Sequence, residues 1–170
     1  MYGYPSEVLM NELNHFDPDG NPHMVDVGSK PMTDRMAIAS GCVSMKASTM
    51  KRIRDRQIGK GDVLQVARLA GIMASKRTPD LIPLCHPIHL NSAELEFEFV
   101  DDQTLRAVAT CRATDRTGVE MEAMTSVSVA LLTVYDMCKS VDREMVVSEI
   151  RLEQKSGGKS GEFRRSSNEQ

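Results

Sequence analysis

Residues 127 to 134 read VSVALLTV, and no other stretch restricts the fold of this chain so tightly. They sit inside a segment, Val119 to about Val141, whose spacing predicts one long helix. On a helix these apolar side chains point in nearly every direction, whereas a helix with one wet face keeps a polar stripe. The helix therefore needs cover on two sides. A sheet of the same chain can supply one. In a chain of 170 residues, about the size of one domain, a second subunit is the expected source of the other. The alternative is a helix sandwiched within a single domain.

The sheet is legible in pieces. RMAIASGCVSMK places Met36, Ile38 and Cys42 on one side of a strand and Ala37, Ala39, Val43 and Met45 on the other, as in a strand covered on both faces. A basic helical stretch, STMKRIRDRQI, leads to Gly59. Asp62 can then cap a helix through VLQVARLAGIMASKR, in which Val63, Val66, Ala67, Ala70 and Ala74 recur at helical spacing until Pro79 stops it. Pro83 and Pro87 keep LIPLCHPIHL out of regular structure. Leu95, Phe97 and Phe99 alternate with Glu94, Glu96 and Glu98, which gives a strand with one buried and one wet face. DDQT turns the chain back and LRAVATCRA forms the partner strand. TDRTG leads into the long helix, where Thr117, three residues before Glu120, offers a capping box. The last strand is EMVVSEIRL. The order predicts an α+β protein of ferredoxin-like βαββαβ type, an antiparallel sheet with helices packed on one face. Residues 23–163 form the single domain in this reading, between a poorly ordered lead over residues 1–22 and a flexible tail over residues 164–170.

Composition narrows the function classes. The formal net charge is −3, so any grip on a polyanion must come from locally clustered Lys and Arg, and neither nucleic acid nor a membrane is an expected partner. No apolar run approaches the roughly 18 residues of a membrane span. The N-terminal stretch carries Glu7, Glu12 and Asp17 without a basic start, unlike a signal peptide. Cys42, Cys85, Cys111 and Cys138 are scattered without a CxxC pair, which predicts reduced thiols and a cytoplasmic location.

Several short stretches could carry chemistry. KSGGKSG, residues 155 to 161, resembles a phosphate loop but lacks the required glycine, since Glu153 stands in its place, and no helix follows. What remains is a glycine-rich segment that can approach an anion between Lys155 and Lys159, or else a solvated terminus. Asp136 and Lys139 lie three apart on the long helix, opposite the stripe of Val119, Ala123, Val127, Ala130 and Val134. That pair is either an ordinary helix ion pair or, with Lys139 buried among other cations, a proton shuttle. Glu122 points the same way to within about 40°, yet stands roughly 21 Å further along the axis. One compact ligand cannot touch both on a straight helix, so a second subunit or an extended ligand would have to join them. Lys60 lies at the mouth of the helix capped by Asp62, where an anion is favoured. Lys76 and Arg77 close that helix as dipole complements. Cys85, His86, His89 and His23 do not have the spacing of a zinc site, and His86 in its proline-bounded loop is a hydrogen-bonding candidate.

HMVDV at 23–27, KGDV at 60–63, AGI followed by KRT, DLIPLCHP at 80–87, TGVEMEA at 117–123, YDMCK at 135–139 and KSGGKSG at 155–161 stand in one order. In that order they resemble the motifs of the cyclic pyranopterin monophosphate synthase family, of molybdenum cofactor biosynthesis. The likeness runs from about residue 23 to residue 163. It implies a ferredoxin-like subunit in a homohexamer, a trimer of dimers, with active sites between subunits. It also implies rearrangement of 3′,8-cyclo-7,8-dihydroguanosine triphosphate to cyclic pyranopterin monophosphate with release of pyrophosphate. No redox cofactor is implied, and whether Mg²⁺ accompanies the phosphates is left open. By motif, Asp136 and Lys139 match the catalytic pair. Leu84, Cys85 and His86 match one substrate-binding run, and Met121 with Glu122 another. Lys60, Lys76, Arg77, Lys155 and Lys159 fall in basic motifs, and Arg35 and His23 are further members. On this resemblance Lys139 is the expected general acid, oriented by Asp136, and Lys155 and Lys159 are expected to close over the phosphates, across a subunit boundary or within one chain, from a segment disordered when the site is empty.

Two other readings keep the fold. An RNA-recognition domain would stack bases on sheet aromatics, but here outward phenylalanines would leave Glu94, Glu96 and Glu98 in the core. A non-catalytic nucleotide-binding subunit would need the Lys and Arg residues but not Asp136 with Lys139.

Overall fold

The computed structural model describes residues 15–17, 19–59 and 61–166. Strand β1 (Thr33–Ser44) is followed by helices α1 (Ala47–Arg54), α2 (Val63–Ser75) and α3 (Thr78–Leu81). Strands β2 (Ser92–Phe99) and β3 (Thr104–Asp115) form a hairpin, helix α4 spans Glu120–Cys138, and β4 (Val146–Ser156) and β5 (Phe163–Arg164) close the chain. The sheet order is β2-β3-β1-β4-β5, and every pairing is antiparallel. The first four strands have the ferredoxin-like order, with α2 and α4 packed on one face and against each other.

Small residues bring the long helix close to the sheet. Ala37, Ala39, Val43, Leu105, Ala107, Ala109 and Cys111 are sealed from solvent beneath α4. A Cβ on Gly41 would lie 2.9 Å from Leu131 Cδ1 and Val127 Cγ1, so this crossing point requires glycine. The stripe of Val119, Ala123, Val127, Ala130 and Val134 is buried, as its spacing predicts. On the other side of α4, Leu132 remains 58% exposed. Within one chain, then, the helix is not sandwiched.

The second face of β1 is covered differently from the expectation of an apolar layer. Met36, Ile38 and Cys42 are half-buried, while Ser40 Oγ donates to Glu153 Oε1 at 2.5 Å, and Arg151 Nε and Arg106 Nη2 reach the same oxygen at 3.0 and 3.3 Å. Register shifts in β4 opposite Ile38/Ala39 and Ser40/Cys42, with Glu149 at a φ of 54°, accompany this charged lattice. Phe97 and Phe99 pack toward the core and the three glutamates face out, which removes a base-stacking platform from this face.

Three local expectations are corrected. Pro79 does not stop α2, which ends at Ser75; there the Ser75 hydroxyl donates to the Ile72 carbonyl and the Thr78 hydroxyl to that of Ser75. Pro79 instead opens α3, in the first turn, where its missing N–H is harmless. The Thr117–Glu120 capping box does not form: the N-cap of α4 is Val119, without a side-chain cap, and the Glu120 carboxylate folds back over Gly118. The last strand runs on to Ser156, and Arg164 pairs with Gln154 in β5 while Arg165 Nε donates to the Leu152 carbonyl at 2.9 Å. The tail expected from residue 164 is thus tied to β4 at its start, because β4 still offers a free edge there. Much of the lead lies outside the described residues, but Phe16 bridges Pro22 across a turn in which the Asp17 carboxylate accepts from the amides of Asp19 and Asn21.

Candidate active site

The N-terminal end of α4 is where the fold gathers the polar stretches of the sequence. The β3–α4 turn, the β4–β5 turn and the segment before β1 enclose a cleft of about 1010 Å³. Its cations are Lys30, Arg35, Arg116, Lys155 and Lys159, against the single carboxylate of Glu120. A second hollow of about 410 Å³ is lined by Leu84, Cys85, His86, Met121 and Glu122, with His15 at its edge. The two share Lys30, Thr117, Gly118 and Glu120, so they are two ends of one cleft.

Each side chain owes its place to a local feature. Lys155 is carried by β4 opposite Ala37, its side chain 17% exposed, with Glu120 Oε1 at 3.9 Å and the Ser160 hydroxyl bonded to its ammonium. Arg35 lies on β1 and donates to the carbonyls of Asp115 and Arg116. Residues 84–86 belong to the irregular run between α3 and β2, laid across the start of α4. Under that run Glu122 is 2% exposed. Burial, reinforced by Glu120 and Asp115 and partly opposed by its own backbone amide, pushes the Glu122 carboxyl up to about 7. Burial, with Glu122 adding to it, also raises the Cys85 thiol, which therefore stays protonated and is a poor nucleophile. The Cys111 thiol, deeper in the core, is pushed up to about 12.

Asp136 and Lys139 are paired at 2.7 Å at the opposite end of α4, with side chains 62% and 52% exposed. The hydrogen bond that Lys139 donates to Asp136, and then the charge of that carboxylate, raise Lys139 above its ordinary value, the reverse of what a neutral-pH proton shuttle needs. This end of α4 is fixed by Asp142, whose side chain is fully buried. Its carboxylate accepts from the Lys46 amide at 2.9 Å, the Thr49 hydroxyl at 3.1 Å and the Glu144 amide at 3.2 Å. Burial alone would raise Asp142, but these bonds and the Lys46 ammonium more than offset it and hold the carboxyl below its usual range.

One chain therefore brings together Leu84, Cys85, His86, Met121, Glu122, Arg35, Lys155 and Lys159. It leaves Asp136 and Lys139 at the far end of α4. Lys76 and Arg77 are exposed at the end of α2, and His23 is exposed outside the cleft lining. Lys60 lies outside the described residues. Lys30, Arg116 and His15 were not singled out from sequence; each sits beside a turn, and only the fold makes them converge. Among the described residues no three or more His, Cys, Asp or Glu side chains are placed to hold a metal ion, and no helix is long and apolar enough to cross a membrane.

A ferredoxin-like subunit with a cleft cationic at one end and roofed over a buried carboxyl at the other is suited to an anionic small molecule with a polar ring. Comparison with known proteins makes this specific. The MoaC family model matches residues 24–158. The cyclic pyranopterin monophosphate synthase of Heliobacterium modesticaldum is 56% identical over 155 residues, covering 91% of this chain and 98% of its own. That of Desulfitobacterium hafniense is 55% identical over 152 residues, covering 89% and 93%. That of Rhodospirillum rubrum is 54% identical over 158 residues, covering 92% and 95%. The chain belongs to the MoaC family.

Proposed function

We propose that this protein is a lyase of molybdenum cofactor biosynthesis that converts 3′,8-cyclo-7,8-dihydroguanosine triphosphate to cyclic pyranopterin monophosphate and pyrophosphate, in the cytoplasm. The observation that carries this reading is the two-ended cleft. Five cations at one end suit a triphosphate, and the hollow over Glu122 suits the guanine-derived ring. Its relatives bear the corresponding name.

Forming a cyclic phosphate with loss of pyrophosphate requires a hydroxyl oxygen of the substrate's own skeleton to bond to the α-phosphorus. The α–β bridging oxygen leaves with the two outer phosphates. Charge builds on that oxygen, and Lys30, Arg116, Lys155 and Lys159 are placed to stabilise it. Opening and re-closing the ring moves protons. A buried carboxyl titrating near 7, as Glu122 does, can hold a proton against a ring nitrogen or carbonyl at neutral pH.

Lys139 and Asp136 enter this chemistry from another copy of the chain. On one copy Asp136 stands roughly 21 Å and Lys139 about 25 Å along α4 from Glu122, and the exposed Leu132, one turn before Asp136, marks the side of the helix that a second copy covers. Docked against a neighbour's cationic cleft, Lys139 would lose solvent and meet like charge, both of which lower its pKa toward the range of a general acid. A homohexamer built as a trimer of dimers satisfies this need. Incubation with the cyclised triphosphate should yield equimolar pyrophosphate and cyclic pyranopterin monophosphate by mass spectrometry. Binding without either product would make the chain a nucleotide-binding subunit instead.

A further inference from the structure

Arg35 stands where three segments lining the cationic end converge. Its Nε donates to the Asp115 carbonyl at 3.3 Å and its Nη2 to the Arg116 carbonyl at 3.2 Å, tying β1 to the turn that opens α4. On its other side it packs against the β4–β5 turn. A Cβ on Gly157 would overlap the Asp34 carbonyl oxygen and come within 3.2 Å of Arg35 Cδ; one on Gly158 would overlap the guanidinium itself. The two glycines have φ of +93° and +75°, a region that side-chain-bearing residues rarely enter. Backbone and packing thus both demand the missing side chains. The glycines form a seat for Arg35.

A guanidinium in this position could ligate phosphate or clamp the loop. Both uses draw on the planar fork, which lysine cannot copy, so weaker binding in Arg35→Lys does not by itself separate them. A clamp that reaches two carbonyls and lies against a glycine turn also orders the loop when no anion is bound. We propose that Arg35 is a positioning residue that fixes the 155–161 loop against residues 115–118, so that Lys155 and Lys159 stand preassembled at the spacing of an oligophosphate. The partial burial of Lys155 and its pairing on β4 agree with a rigid cradle. The proposal rests on the anion-binding reading of the cleft but not on turnover.

Inorganic tripolyphosphate is the probe, with binding measured by calorimetry on the full chain and amide hydrogen exchange followed over residues 155–161. Arg35→Lys and Gly158→Ala, neither of which changes the charge of the cleft, should each weaken binding about tenfold or more and speed exchange in the loop. With the cyclised triphosphate, the loss should appear in KM, with kcat within about threefold of the wild type. Wild-type binding and exchange in Gly158→Ala would overturn the proposal. So would weaker binding in Arg35→Lys beside wild-type exchange in the anion-free loop, which would make Arg35 a phosphate ligand. If Gly158→Ala fails to fold, exchange in anion-free Arg35→Lys decides alone. A wild type that binds tripolyphosphate without turning over the cyclised triphosphate would refute the proposed reaction and leave the role of Arg35 to the binding and exchange results. No binding by the wild type would refute both.

Discussion

Glu122 and Asp136 leave α4 on nearly the same side, yet Glu122 is 2% exposed and the Asp136 side chain 62%. Helical phase gives a side chain its direction; the hollow at Glu122 is walled in part by residues 84–86, whose irregular backbone has no period to read. The consequence is a proton bound more tightly in the folded chain than in the unfolded one. From an ordinary value near 4.5 the Glu122 carboxyl rises to about 7. Stability from this group is therefore complete below about pH 4.5 and falls as pH climbs through 7, by up to roughly 3 kcal/mol. Glu122→Gln, which cannot ionise, should gain Tm over the wild type at about pH 8 relative to its difference at about pH 5. The same Tm difference at both would show that the carboxyl is not perturbed. Lys139→Ala should keep tripolyphosphate binding while kcat falls about a hundredfold or more; unchanged kcat would take Lys139 out of the chemistry.

At the scale of elements, the β2–β3 hairpin and the buried stripe of α4 follow from periodicity, and so do the core residues they carry. The β4–β5 hairpin does not, because polar Glu153, Gln154 and Lys155 carry no apolar alternation, and Gln154 and Lys155 are held in β4 by pairing to Ile38 and Ala37 of β1. In sequence KSGGKSG is open between an anion-binding segment, disordered when empty, and a solvated terminus; in the structure it is a tight turn between β4 and β5. The junction of α4 with α1 is equally silent in sequence, since it depends on Asp142 reaching Lys46 and Thr49 far back in the chain. Its depressed pKa adds stability that is present above the unfolded-state value and lost as pH falls through the folded one. Asp142→Ala should cost roughly 2–3 kcal/mol near pH 7, from buried donors left without a partner, and less in acid. Urea unfolding at both pH values checks this, and an equal cost at each would contradict it.

For the whole molecule, the all-round apolar stretch at residues 127–134 asked for a cover that one chain does not provide on the side of Leu132. Leu132→Glu should therefore reduce the particle mass in light scattering while leaving the helical circular dichroism of the chain intact. An undiminished mass would place the interface elsewhere. The separation of Asp136 from Glu122 along α4 follows from rise per residue, whereas the neighbour that closes the gap does not, since a sequence records no partner surface. Two inactive variants, Lys139→Ala and Lys155→Ala, resolve the matter when co-expressed and purified as mixed oligomers. If each site draws these residues from different copies, random mixing pairs two intact contributors at about one site in four, and activity should return to about a quarter of the wild type. Mixed oligomers no more active than either parent variant would contradict a site shared between chains.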